Sequence, residues 1–109
     1  FFATVTLTAL TAFAPYAMAQ GSADAGKSLA EGKRCLGCHK MEDKGVGPSI
    51  HDIAAKYKGV SGAQAAVQAR MRTGSKGIWG NTAMNPVNKD ISEDELKAMV
   101  AWMLSQAPK

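Results

Sequence analysis

Both cysteines of the chain lie in one stretch, Cys35-Leu36-Gly37-Cys38-His39. Thiols this close cannot tie distant segments together. A disulfide between them would close a tiny loop and constrain little chain. A structural zinc site needs four ligands, and His39 and His51 are the only histidines available to join the two thiols. Adjacent Cys38 and His39 would also struggle to point at one tetrahedral metal. A thioredoxin-like dithiol explains the gap between the cysteines, but it expects a βαβ framework and gives His39 no task.

Without a covalent staple, the fold depends on its core, and large rings are scarce there. The chain has 109 residues, enough for one domain. Residues 1–19 carry no charge, are rich in Ala, Thr, Leu and Phe, and end in Ala17-Met18-Ala19. This pattern reads as a truncated signal peptide cut after Ala19, with a domain over 20–109. The alternative is an uncleaved anchor, but the run is Thr-rich, holds Pro15 and falls short of the ~20 residues a span needs. No membrane insertion is expected after cleavage. Every Phe lies before the cut, so the mature part keeps Tyr57, Trp79 and Trp102 as its only rings of that kind. Either the core is small and Ala-packed, or a non-protein group supplies the missing bulk.

The periodicity is helical throughout, and the expected class is all-α. A helix is predicted over 22–34, begun by Ser22 or Asp24 and running into the cysteine stretch. Residues 50–58 place Ile50, Ile53, Ala54 and Tyr57 on one stripe, ended by Gly59. Residues 62–73 align Ala63, Val67 and Met71, with Gly74 as C-cap. The last helix opens with Ser92 as N-cap, Glu95 completing a capping box, and Ile91 and Leu96 as hydrophobic staple. Between the last two helices, residues 74–90 hold glycines, asparagines and Pro86 and read as a long loop. Loops of that length in a small domain are usually functional or disordered.

C-x-x-C-H is the attachment pattern of c-type haem, and it uses every polar residue of the stretch. Cys35 and Cys38 would bond covalently to the two vinyl groups, and His39 would sit beneath the iron. The covalent tether suits an exported protein, and haem supplies the apolar bulk that the core lacks. A second axial ligand is then sought among the methionines. Met18 lies in the leader, and Met41 is too near His39 to reach the opposite side. Met71, Met99 and Met103 sit on apolar helical stripes, where methionine is core filler. Met84 alone lies in the irregular loop. His51 is a rival, though a solvated surface histidine fits it better. His/Met ligation raises the reduction potential and closes the iron to small molecules, which points to a one-electron carrier and away from an enzyme.

The cysteine stretch, Gly47-Pro48, the run from Asp52 to Tyr57, Arg70, the run from Gly74 to Gly80, Met84 and the closing ISEDELKAMVAWMLS together resemble a class I cytochrome c of the small bacterial cytochrome c-551 type. The likeness spans the whole mature chain. It implies four to five short helices around one haem c, with His39 and Met84 on the iron. It further implies that the Pro48 carbonyl orients His39 and that Arg70 and Trp79 bond a haem propionate. On residues alone, Arg70 would read as an exposed helical arginine and Trp79 as core. The resemblance leaves Asn85 and Asn88 both open as the partner of the Met84 sulfur. Such loops usually flank the methionine with prolines, whereas here Ala83 precedes it and Asn85 follows. A looser loop and a weaker iron–sulfur bond are therefore expected.

The implied role is a soluble, monomeric periplasmic carrier between a respiratory donor and a terminal oxidase or nitrite reductase. The alternative is a gas-binding or peroxidatic haem protein with a labile sixth ligand. The net charge of +4, without a basic cluster interleaved with aromatics, suits acidic protein partners and not nucleic acid. Lys40, Lys44, Lys76 and Lys89 are the candidate steering residues.

Overall fold

The structure, a computed structural model, describes the backbone of residues 16–107 and the side chains of residues 24–107. The expected leader before residue 16 lies outside the described residues, and the cut expected after Ala19 falls near the start of the first helix. Five helices follow: α1 (Tyr16–Gly32), α2 (Cys35–Cys38), α3 (Ile50–Tyr57), α4 (Ala63–Thr73) and α5 (Glu93–Leu104). Among the described residues there is no strand, only one isolated antiparallel bridge between Ser75 and Met84. The all-α expectation holds.

The first helix differs from its prediction at both ends. It is already helical at Ser22 and Asp24, and it stops before the cysteines. Gly32 is a poor helix former. The Arg34 N–H then bonds back to the Glu31 carbonyl, and Arg34 adopts φ 61°, the left-handed turn that commonly ends a helix. That turn redirects the chain into α2. Helix α3 starts at Ile50 as expected, and its cap is a residue the sequence reading did not single out: Ser49, fully buried, accepts from the Asp52 N–H at 3.0 Å.

Helix α5 is the hub of the fold and packs against α1, α3 and α4. Its Leu96, Met99, Val100, Trp102 and Met103 are buried, each contributing about 1.5–3 kcal/mol. Ser92 caps it as expected, accepting from the Glu95 N–H at 3.1 Å. The return half of the capping box is replaced by a tertiary contact, since Glu95 Oε2 lies 3.9 Å from Lys33 Nζ. Ile91 and Leu96 are both buried in the core, as the staple requires. Where α1 crosses α5, the two backbones meet at Gly26. A Cβ there would stand 2.0 Å from the Ala98 carbonyl oxygen, so any larger residue would force the helices apart.

Candidate cofactor site

The helices leave a cleft of about 500 Å³ between the segments 34–53 and 67–87 and the inner face of α5. Its size and apolar walls suit a cofactor. The single turn of α2 sets Cys35 and Cys38 at helical i, i+3 spacing, and so on one face. Both thiols reach the cleft, Cys35 half-buried and Cys38 exposed. Burial pushes the Cys35 thiol above its usual pKa, the nearby Cys38 adds to this, and a backbone hydrogen bond opposes it.

His39 leaves the helix and turns its ring into the cleft. Its Nδ1–H donates to the Pro48 carbonyl at 2.9 Å, so the lone pair is on Nε2. Such a bond fixes the tautomer and raises ligand basicity. The loop that brings Pro48 there is held by the chain around the cysteines. The Gly47 N–H donates to the Cys38 carbonyl at 3.0 Å and the Ile50 N–H to the Lys40 carbonyl at 2.8 Å.

Met84 enters the cleft from the long loop, where Ser75 and Met84 exchange backbone hydrogen bonds of 3.1 and 2.9 Å. Met71, Met99 and Met103 also line the cleft, but from helix faces buried in the core, whereas Met41 and His51 are absent from its walls. Asn85 lines the cleft, while the side chain of Asn88 is engaged elsewhere, accepting from the Asp90 N–H at 2.9 Å. Of the candidate lysines, Lys44 and Lys76 rim the cleft and Lys40 and Lys89 do not.

Arg70 and Trp79 also line the cleft, with partners that sequence reasoning missed. The Arg70 guanidinium donates to the Tyr57 hydroxyl. Lys56 Nζ lies 5.1 Å from the Trp79 ring centroid, within cation–π range. Tyr57 reads in sequence as the last residue of an apolar stripe, and only its hydroxyl hinted at a polar task.

The donor set fits a covalently held haem. Two thiols stand at attachment spacing, one imidazole presents a free Nε2, one thioether comes from a separate segment, and an arginine and a tryptophan N–H are available for carboxylates. A small all-α fold with this site defines a c-type haem protein.

The cytochrome c family pattern matches residues 23–107. Cytochrome c-551 of Pseudomonas aeruginosa is 40% identical over 90 residues, covering 82% of this chain and 85% of its own. Cytochrome c2 of Rubrivivax gelatinosus is 44% identical over 77 residues, covering 70% and 91%. The crystal structure of wild-type Nitrosomonas europaea cytochrome c552 superimposes with a TM-score of 0.68 at 38% identity, over 72% of this chain and 96% of that one. The chain therefore belongs to the cytochrome c family: it is a class I monohaem electron carrier with one covalently attached haem c and its iron.

Proposed function

We propose that Cys35 and Cys38 hold the haem by thioether bonds, that His39 Nε2 is the proximal iron ligand and that the Met84 sulfur is the distal one. The haem supplies a one-electron ferric/ferrous couple. Pro48 keeps His39 in the ligating tautomer. Arg70 and Trp79 donate to a propionate, and the Tyr57 hydroxyl steadies the Arg70 guanidinium. Asn85 donates its Nδ2–H to the Met84 sulfur, a reading supported by Asn85 lining the cleft where Asn88 does not. The observation that carries this reading is the Nδ1–H bond from His39 to Pro48, which frees Nε2 in a cleft that also admits Met84.

With His39 and Met84 both holding the iron, the site would leave no place for a substrate and would supply one-electron chemistry alone, which fits a carrier and not an enzyme. The mature domain is residues 20–109, exported to the periplasm by the apolar leader, and it works as a monomer. No helix among the described residues is long and apolar enough to cross a membrane. Lys44 and Lys76, at the cleft rim, steer redox partners with acidic docking surfaces. A terminal oxidase or a nitrite reductase fits as acceptor.

The test is the visible and near-infrared spectrum of the purified holoprotein, with pyridine haemochrome and thiol titration. A c-type haemochrome, no free thiol and a weak near-infrared iron–thioether band are expected. Free thiols would overturn the tether, and a missing band would overturn Met84.

A further inference from the structure

We propose that Arg72 is a positioning residue for Met84, locking the far end of the loop that carries it. The proposal rests on the reading of Met84 as distal ligand. Only Pro86 stiffens the loop after Met84, and on proline count alone the segment should swing easily. The structure supplies a different restraint. On the near side, Met84 is bridged to Ser75 through the backbone. Further on, the Val87 N–H donates to the Met71 carbonyl at 2.8 Å.

Beyond Val87 the restraint is a side chain. Arg72 Nη2 donates to the Ile91 carbonyl at 2.7 Å and Nη1 reaches the Asn88 carbonyl at 3.4 Å. Its Nε donates to Glu93 Oε1 at 2.8 Å. One planar fork thus joins the end of α4, the loop and the first turn of α5. A lysine has no such geometry.

The carbonyl bonds matter more than the ion pair. Glu93 is 69% exposed, and exposed pairs contribute little. The Arg72 side chain is only 27% exposed, and charge-assisted bonds to carbonyls are the stronger class. For the Met84 sulfur to leave the cleft, the loop must move against both its bridge at Ser75 and this fork. Arg72 therefore offsets the loosening that the scarcity of prolines implies.

The ferric holoprotein is titrated with imidazole, which competes for the sixth position, while the near-infrared iron–thioether band is followed. Arg72→Gln is expected to bind imidazole about tenfold more tightly, the size of one lost charge-assisted bond. Arg72→Lys keeps the charge, reaches one carbonyl and should fall between wild type and Arg72→Gln; it carries the test where the glutamine variant fails to accumulate. Glu93→Gln keeps both carbonyl bonds and should stay within about twofold of wild type. Val100→Ala weakens the core at a fully buried site outside the cleft lining. It should lower the melting temperature without raising imidazole affinity. Wild-type affinity in the Arg72 variants overturns the proposal, as does an equal gain in Val100→Ala. A wild-type protein lacking the band overturns the Met84 assignment itself, and this proposal with it.

Discussion

The backbone of Gly47 presses close against the ring of His39: a Cβ at Gly47 would stand 2.5 Å from His39 Cε1 and 2.8 Å from Nδ1. The same ring is oriented by Pro48, the next residue. Gly47→Ala must push the ring away from the Pro48 carbonyl or move the loop. Overpacking of this kind costs about 1–3 kcal/mol. A weaker Nδ1–H bond also makes the imidazole a poorer donor to iron. Lower thermal stability and a raised reduction potential are expected by melting and voltammetry. Wild-type values of both would show that the ring has room.

Gly26→Ala sets two effects against each other. Alanine in a helix is favoured over glycine by about 0.5–1 kcal/mol. Its methyl, however, would meet the Ala98 carbonyl at 2.0 Å, and that atom is backbone and cannot turn aside. The clash should win, with a net loss of about 1–3 kcal/mol. A loss of about 1 kcal/mol lowers the melting temperature of a domain this size by about 4–8 °C. A rise instead would mean that α1 and α5 do not approach so closely.

Arg34→Gly should act in the opposite direction. Arg34 is the one non-glycine with positive φ among the described residues, at 61°. The left-handed region costs an ordinary residue about 1–2 kcal/mol. Glycine removes this strain but loses more chain entropy on folding, about 0.5–1 kcal/mol. A small net gain in denaturant stability is expected, and a loss would show that the Arg34 side chain contributes contacts of its own.

Met84→Ala should open the sixth position. The reduced wild-type protein is expected to resist carbon monoxide, and the variant to bind it readily. A wild-type protein that takes up carbon monoxide at once would favour the gas-binding reading.

Lys44 and Lys76 should set the salt dependence of electron transfer. Rates with an acidic partner are expected to fall as ionic strength rises and screening shortens to about 8 Å at physiological salt. Changing both lysines to glutamine should lower the rate and flatten the slope. A wild-type rate independent of salt would remove the steering role.

Much of this protein could be read along the chain. The attachment stretch from Cys35 to His39 is contiguous and carries its chemistry in its spacing. The stripes of α3, α4 and α5 repeat at helical period, and Ser92 marks the start of α5 by its own side chain. Met84 stands out as the one methionine in the long irregular loop. All of these are local signals, written in neighbouring residues. Tertiary structure decided the rest. The left-handed turn at Arg34 separates α1 from α2 although arginine ordinarily continues a helix. Glu95 faces Lys33 instead of closing its own capping box. Tyr57 meets Arg70, Arg72 grips the loop beyond Met84, and Gly26 and Gly47 are glycines because another segment presses on them. Each of these joins residues far apart in sequence or sets a backbone turn against local propensity. Such contacts exist only once the packed helices have fixed which segments meet, and no periodicity along the chain encodes that.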